Sequence, residues 1–385
     1  MDPLFGIYVH WPFCQSKCPY CDFNSHVHES VDQDRWKKAL VAELDSYKEI
    51  TEDKTVTSVF FGGGTPSLMD PKIVTAILNA IHARWEIAQD IEITLEANPT
   101  SVESEKFKAF YEAGVNRVSI GVQALDDESL KFLGRTHDVS QALRALDLAA
   151  EIFPRFSFDM MYGRPGQTPD DWERELLRAL GYSGGHMSLY QLTIEKGTAF
   201  YTANERGDFA MPDEDLMAVF YGMTNSIMAQ AGMPAYEVSN YAVPGEECRH
   251  NLTYWMYYDY LGVGPGAHGR LTKGDQKMAV HTHRAPDVWL SNVEECAESG
   301  RKEPEILTQK QRFIETLMMG LRIKGGVSRD TLVREGGPDW YDYISLDTLE
   351  RFKEADFIRD ENGCFVSTPK GRARLDTVIR DLIRV

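Results

Sequence analysis

The sequence predicts an α/β protein in which a partial barrel of six strand-helix units precedes a mostly helical, winged-helix-like domain. Two observations lead to this prediction. Over the first half of the chain, short apolar segments of strand type alternate with segments of helical periodicity. After Pro304, helical segments are followed by a hairpin pattern. Repeated βα units build a parallel sheet, and six are too few to close an eight-fold barrel.

The predicted barrel strands, in chain order, are residues 6–10, 57–61, 92–96, 117–121, 156–162 and 186–193. Helices are expected between them. The best marked helix follows Thr168, a suitable cap, and Pro169, which suits a first turn. Its apolar face is predicted to consist of Trp172, Leu176, Leu177 and Leu180.

We expect three domains: the partial barrel with a helical, Met-rich extension (1–240), a connecting Gly-rich and aromatic segment (241–305), and the C-terminal domain (306–385). The last domain should contain helices over 308–322, 328–335 and 346–354, a hairpin over 357–366 and a final helix opening at Thr368. Residues 260–269 are expected to form a Gly-rich loop, which either approaches a planar ligand or only turns the chain.

The composition restricts the class of partner. A chain of 385 residues with 43% hydrophobic content can bury a full core, and its net charge of −18 disfavours nucleic acid and anionic lipid as ligands. The winged-helix pattern is therefore expected to serve packing or partner docking rather than DNA binding. Without a signal-like start or a long apolar stretch, the protein is expected to be soluble and cytoplasmic, with no stable membrane insertion.

Cys14, Cys18 and Cys21 have C-x3-C-x2-C spacing, with no fourth cysteine beside them. Closed zinc sites and complete [4Fe-4S] sites take four protein ligands, so three thiolates predict a metal centre with one open position. A disulfide is disfavoured because the number is odd and no export signal is evident. A structural zinc site would need a distant fourth ligand, for which the candidates are Cys248, Cys296, Cys364 or a histidine.

Polar residues follow several predicted strands, at the face where βα barrels place their chemistry. The turn 62–66 (Gly-Gly-Gly-Thr-Pro) follows the second strand, and Glu96, Gln123 and Asp159 mark the ends of later strands. All are expected to face one mouth together with the cysteines. The glycines would let the amino and carboxylate groups of a small zwitterion approach the main chain, although a tight connection is the alternative. The two acids would bind an amine or a ribose hydroxyl, or else act as helix caps or surface acids.

With Tyr20 before the last cysteine and the triple-glycine turn, the cysteine motif resembles the radical S-adenosylmethionine (SAM) superfamily. The whole chain resembles the subgroup that contains oxygen-independent coproporphyrinogen III oxidase and the HemW haem chaperones. The resemblance implies a radical-SAM partial barrel and a HemN-C-like C-terminal domain. It also implies a [4Fe-4S] cluster on Cys14, Cys18 and Cys21, whose open iron binds SAM and whose reduction would cleave SAM to methionine and a 5′-deoxyadenosyl radical.

The resemblance also assigns SAM contacts position by position. Tyr20 is expected near the adenine, and the glycine turn is expected to bind the methionine part. The full set of expected SAM-binding residues is Tyr8, Tyr20, Gly63, Gly64, Thr65, Glu96, Gln123, Arg135 and Asp159.

Two departures separate the chain from the oxidase. The oxidase has a further cysteine where this chain has Phe23, and an amino-terminal arm that is absent here. In contrast, residues 250–255 have the H-N-x-x-Y-W form associated with the HemW branch, which implies haem binding by His250, Tyr254 and Trp255. On chemistry alone, a histidine beside aromatic residues is more often a structural residue than an iron ligand.

The preferred hypothesis is therefore a haem chaperone that binds a [4Fe-4S] cluster, SAM and haem and transfers haem to apo-haemoproteins. It would need an electron donor for the cluster. Whether SAM is cleaved productively and whether the chain forms a homodimer stay open. The alternative is oxidative decarboxylation of coproporphyrinogen III to protoporphyrinogen IX, which Phe23 and the 250–255 motif disfavour.

Overall fold

The computed structural model describes residues 4–28 and 30–384. Residues 1–3, with which the predicted first domain begins, and residues 29 and 385 lie outside the described part. The strands are β1 Phe5–Trp11, β2 Phe13–Cys14, β3 His26–Val27, β4 Thr55–Gly63, β5 Glu86–Ala97, β6 Arg117–Gln123, β7 Arg155–Tyr162, β8 His186–Gln191, β9 Asn240–Ala242, β10 Asp259–Val263, β11 His268–Lys273, β12 Gln276–His281, β13 Glu305–Ile306, β14 Val327–Ser328, β15 Ile358–Glu361 and β16 Cys364–Ser367.

Helices lie between most of the strands, and short 3-10 turns cover Pro66–Leu68, Ala297–Gly300 and Trp340–Tyr343. The α-helices are α1 Gln33–Asp45, α2 Lys48–Thr51, α3 Pro71–His82, α4 Ser101–Ser104, α5 Phe107–Glu112, α6 Asp127–Phe132, α7 Val139–Ile152, α8 Pro169–Leu180, α9 Ala199–Glu205, α10 Glu214–Gln230, α11 Arg249–Trp255, α12 Pro286–Glu295, α13 Gln309–Gly320, α14 Arg329–Gly336, α15 Leu346–Glu354, α16 Pro369–Arg372 and α17 Leu375–Leu382.

The six predicted barrel strands are confirmed as β1, β4, β5, β6, β7 and β8, which lie side by side in this order and are all parallel. They belong to a larger open sheet with the order β13-β12-β11-β10-β1-β4-β5-β6-β7-β8-β9. Its two ends are not paired with each other among the described strands. The α/β class and the partial barrel are therefore confirmed.

The second half of the chain extends this sheet beyond the predicted barrel. Strand β10 pairs in parallel with β1, and β11, β12 and β13 continue it in antiparallel order. The predicted Gly-rich loop over 260–269 is thus wrong at both ends, because β10 ends at Val263 and β11 begins at His268. Alternating buried positions in β10 pack on the common core, and only residues 264–267 turn. The division into three domains stays a prediction.

Helix α8 shows how the sequence defines the layer outside the sheet. Thr168 and Asp171 form a capping box at its start, and Trp172 and Leu176 are buried. The prediction for Leu177 is wrong, since its side chain is 54% exposed. Residues spaced by four lie on one helix face, whereas Leu177 is rotated by about 100° from Leu176 toward solvent.

The C-terminal region has its own apolar core and a three-stranded sheet of order β14-β16-β15. Asn362 and Gly363 have φ values of 52° and 78°, which suits the predicted hairpin turn. The last predicted helix is divided into α16 and α17. None of the helices in the described part of the chain is long and apolar enough to span a membrane.

Candidate functional site: two adjoining cavities

The smaller of two adjoining cavities lies at the carboxyl ends of the parallel strands and has a volume of about 160 Å³. All three cysteines of the motif line it. Of the predicted SAM-binding residues, the structure brings together Tyr20, Gly63, Gly64, Thr65, Glu96, Gln123, Arg135 and Asp159 on its wall. Tyr8 lies outside this cavity, in the wall of the larger one.

The cysteine loop is held between β2 and the short strand β3, and the Cys21 amide donates a hydrogen bond to the Cys18 carbonyl at 3.1 Å. All three thiols are half-buried. Among residues 4–28 and 30–384, no group of three histidine, cysteine or acidic side chains converges closely enough to hold a single metal ion. A structural zinc site is therefore not found there. A cluster containing its own sulfides occupies more space than one ion, so three thiols around one cavity fit such a cluster.

Two of the sulfurs accept hydrogen bonds from a connected polar network. The Thr65 hydroxyl donates to Cys14 and the Arg135 guanidinium donates to Cys18, both at 3.4 Å. Asn98 joins the two donors, because it donates to the Thr65 hydroxyl at 3.2 Å and accepts from Arg135 at 2.5 Å. Such donors stabilise thiolate charge. Burial raises the pKa of Cys14, and the neighbouring cysteines add to this effect while the Thr65 bond opposes it.

The glycine turn packs directly on the chain that leads to the cysteines. The amides of Gly64 and Thr65 donate to the carbonyls of Trp11 and Phe13 at 2.7 and 2.8 Å, and the Gly63 amide donates to Glu96. A Cβ on Gly64 would lie 2.7 Å from the Phe13 carbonyl oxygen, so only glycine fits. Because these amides are engaged within the protein, a ligand at the turn meets carbonyl oxygens, which suit an ammonium donor.

Two carboxyl groups stand at the floor of the smaller cavity. Burial, followed by the nearby charge of Asp159, raises the pKa of Glu96 to about 8. Burial also raises the pKa of Asp159 to about 6, although a hydrogen bond from Ser188 opposes the shift. The protein groups around the pair therefore provide too little positive charge to favour ionisation of both carboxyl groups in the absence of a ligand. A cationic or hydroxyl-bearing ligand would stabilise the carboxylate forms.

Gln123 occupies an unusual backbone position. Its φ of 71° lies in the left-handed region, which is uncommon for a residue other than glycine. The register between β6 and β7 shifts between Ile120 and Gln123, so the strand end bends at the cavity wall. This geometry places the Gln123 side chain in the wall instead of in the regular pleat.

The larger cavity has a volume of about 710 Å³ and lies beside the smaller one. Gly63, Glu96 and Phe23 belong to the walls of both, and Phe23 is 65% exposed. The rest of the wall comes from β1, from α11 and from the sheet extension. It includes His10, His250, Tyr254, Tyr260, His268, His281, Arg284 and Lys302.

The three predicted haem residues, His250, Tyr254 and Trp255, together line a third cavity of about 270 Å³. His250 and Tyr254 also line the larger cavity, whereas Trp255 does not and lies under the Arg322 guanidinium. His250 is 3% exposed, its ring stacks on Phe60 and its Nδ1 is 3.0 Å from the Ser58 hydroxyl. Burial lowers the pKa of His250 to about 4. These contacts hold the ring in the wall through Nδ1 and its face, and no hydrogen bond to Nε2 is found in the described part of the chain.

Several residues of the two cavities were not predicted as site residues from the sequence. Asn98 follows Glu96 by two positions. This position near the same strand end is the sequence feature that could have identified Asn98 as a site residue. His268 lies in the predicted Gly-rich loop, which was its only indication, and His281 had none, because the two meet through the pairing of β11 with β12. Cys248, a candidate fourth zinc ligand in the sequence, is buried away from the three cysteines' cavity and donates a hydrogen bond to Glu92 at 3.4 Å.

Known proteins are similar to this chain in sequence and in fold. The family model described as the radical SAM superfamily matches residues 8–179, and that of the HemN C-terminal domain matches residues 307–374. The chain is 40% identical to the Mycobacterium tuberculosis protein named heme chaperone HemW, over 98% of this chain and 95% of that one. It is 43% identical to the mouse protein named radical S-adenosyl methionine domain-containing protein 1, mitochondrial, over 84% of this chain and 74% of that one.

Among solved structures, the chain is similar to coproporphyrinogen III oxidase (HemN) from Escherichia coli, with a TM-score of 0.81 over 99% of this chain and 90% of that one. The identity is 20%, so this likeness shows the fold. The family models and the relatives together establish the family of this chain. The chain belongs to the radical SAM superfamily and, within its HemN-like subgroup, to the HemW type.

Proposed function

We propose that this protein binds haem in the larger cavity and transfers it to apo-haemoproteins, with a [4Fe-4S] cluster and SAM held in the smaller one. The observation that carries the proposal is the adjacency of the two cavities across a shared wall. One cavity offers thiols and carboxyl groups, and the other offers imidazoles, phenol rings and cations. Relatives at about this level of identity are named heme chaperones.

In this proposal Cys14, Cys18 and Cys21 hold the cluster, and the eight residues described above surround SAM. Thr65 and Arg135 stabilise the thiolates, while the carbonyl oxygens of the glycine turn receive the amino group. When bound and reduced by a donor protein, the cluster supplies an electron to SAM. The Tyr8 hydroxyl is 3.0 Å from Nδ1 of His10. In this proposal Tyr8 therefore contacts the ligand of the larger cavity or supports the wall between the two cavities.

The sizes of the cavities support the assignment of haem. Cavities that bind small molecules and cofactors usually measure about 300–1,000 Å³, and the larger cavity, at about 710 Å³, lies in this range. His250 and Tyr254 form part of the haem-contacting wall, and Trp255 supports it from behind. A reducing compartment would keep the thiols available for iron, and we therefore propose the cytoplasm as the location.

The experiment is an anaerobic reconstitution of the full chain, followed by haem titration and by transfer to excess apomyoglobin. Haem absorbance at one equivalent, followed by its appearance in myoglobin, is the expected result. Coproporphyrinogen III is offered to the same sample as the test of the alternative. Formation of protoporphyrinogen without retention of haem would overturn the proposal and favour oxidase activity.

A further inference from the structure

We propose that the pair His268 and His281 supplies the imidazole ligand to haem iron in the larger cavity. The inference rests on the function proposed above, because it names the group that holds the iron of that ligand. It also assigns His250 a different role, as part of the supporting wall.

The pair is formed by the pairing of two antiparallel strands. His268 in β11 lies directly opposite His281 in β12, and their ring centroids are 4.3 Å apart at an interplanar angle of 82°. Residues directly opposite each other on a sheet direct their side chains to the same face. Both rings line the larger cavity, so the sheet extension brings two imidazoles to one place on its wall.

Among the imidazoles of this cavity, the two rings are the more accessible ones. His10 is engaged at both nitrogens, with the Tyr8 hydroxyl at 3.0 Å and the Asn24 carbonyl at 2.9 Å. His250 uses Nδ1 toward Ser58 and is 3% exposed between the rings of Tyr8 and Phe60, whereas His268 is exposed and His281 is half-buried. For His268 and His281, no hydrogen bond to the side chain is found in the described part of the chain.

Arg284 and Lys302 lie beside the pair in the cavity wall, and neither has an ion-pair partner among residues 4–28 and 30–384. Cations without a carboxylate partner stand out in a chain with a net charge of −18. The propionates of haem are carboxylates, which Arg and Lys bind through charge-assisted hydrogen bonds. On another part of the wall, Tyr254 and Tyr260 have ring centroids 6.2 Å apart and offer aromatic contact to a macrocycle.

The spacing also determines how the pair can act. Because the rings are 4.3 Å apart, a porphyrin plane does not fit between them, and both must approach the iron from the same face. One ring therefore binds the iron. The other ring packs against the ligating ring and orients it. The opposite face of the haem stays free of a ligand from this pair.

The test uses the anaerobically reconstituted full chain with haemin as the probe. The variant His268→Ala/His281→Ala is expected to lose the absorption and electron paramagnetic resonance features of imidazole-ligated haem and to bind haemin at least ~10-fold more weakly. Metal-free protoporphyrin IX needs no iron ligand, so its binding, measured by fluorescence, should be nearly unchanged. Free imidazole should restore the ligated spectrum in the variant.

One matched variant serves as the control. His283→Ala alters a half-buried histidine outside the cavity wall and should leave both the haemin affinity and the imidazole-ligated spectrum unchanged. His250→Ala removes a residue of the haem-contacting wall that is the alternative ligand; it should weaken haemin binding, while the haemin that binds keeps the imidazole-ligated spectrum. A second double variant, His268→Gln/His281→Gln, preserves polarity and size, and it should bind metal-free porphyrin while also losing the ligated spectrum.

The outcomes separate this inference from the proposed function. If the unaltered protein binds neither haemin nor metal-free porphyrin, the proposed function fails and the inference fails with it. If it binds haemin but the double variants keep the ligated spectrum, only the inference is overturned. Loss of ligation in His250→Ala alone would also overturn it, as would equal loss of haemin and metal-free porphyrin in both double variants.

Discussion

The smaller and the larger cavity differ in how the chain builds them. The smaller one is made from strand ends of the barrel and from one short cysteine loop, and a hydrogen-bond network connects two of its three thiols, Cys14 and Cys18, through Asn98. The larger one is made from segments far apart in sequence. It contains two imidazoles without a side-chain hydrogen bond and two cations without an ion-pair partner among the described residues. Hydrogen-bonded networks fix geometry, whereas groups without a partner are free to receive a ligand.

Because of this difference, we expect different substitutions to affect ligand binding in the two cavities. Changes in the network around the thiols should affect iron and leave haem binding in place. Changes in the sheet extension should do the reverse. The following predictions, beginning with the largest expected effect, test whether this separation holds.

Cys18→Ser should reduce the iron and sulfide content of the purified protein by at least ~10-fold, because it removes a ligand from a set that has no spare member. Cys296→Ser, at an exposed cysteine outside both cavities, is the control and should leave the iron content unchanged. Binding of metal-free porphyrin should persist in both. Equal iron in Cys18→Ser and the control would refute the assignment of the cluster.

Glu43→Gln tests the support of the larger cavity. The buried Glu43 accepts hydrogen bonds from the Gly264 amide at 2.7 Å and the Trp289 indole at 3.0 Å, and so holds the turn that precedes β11. Burial raises the pKa of Glu43 to about 7, although these donors and Arg301 oppose the shift. The folded state therefore binds more protons than the unfolded state between about pH 4.5 and pH 7, and the stability from this group falls as the pH rises.

In urea unfolding, the stability advantage of the unaltered protein over Glu43→Gln should shrink from about pH 4.5 to about pH 7, by on the order of 3 kcal/mol. Above that range the difference should be constant. The control is Glu128→Gln, at an exposed acid of α6, for which no such change is expected. A difference that grows with pH would show that the carboxylate form is favoured in the folded state.

Asn98→Ala should weaken retention of the cluster by about 10-fold, less than Cys18→Ser, because it removes a partner of the two sulfur donors and no ligand. The rate of iron loss to a chelator measures the effect. Asn292→Ala in α12 is the control, at a half-buried position away from the thiols. If Asn98→Ala and the control lost iron at the same rate, the network would have no role in holding the cluster.

Lys302→Glu should weaken haemin binding several-fold, by about 1 kcal/mol, because an exposed charge acts in high dielectric. Raised salt should reduce the difference from the unaltered protein. Lys310→Glu in α13 changes the net charge equally at a position outside the cavity wall and should bind haemin normally. Identical salt dependence in the two variants would remove Lys302 from the propionate contact.

The same contrast explains what the sequence could predict. The barrel strands are short apolar runs with polar ends, and the cysteines lie within eight residues, so local patterns were sufficient. The C-terminal helices and the hairpin at Asn362 and Gly363 followed from capping and turn residues. The pairing of β10 with β1 and the meeting of His268 with His281 depend on long-range packing, which no local pattern encodes.

Gly63 belongs to the thin wall between the smaller and the larger cavity. Its amide donates a hydrogen bond to Glu96 at 3.2 Å, and a Cβ there would lie 2.7 Å from the His10 ring, so this peptide, together with Glu96 and Phe23, forms the wall shared by the two cavities. Thermodynamic linkage applies to any such divider: if an occupant on one side moves it, the affinity on the other side changes by a factor that is identical in the reverse direction. In the proposed function, SAM binding would then change the affinity for haem, and haem binding would change the affinity for SAM by the same factor.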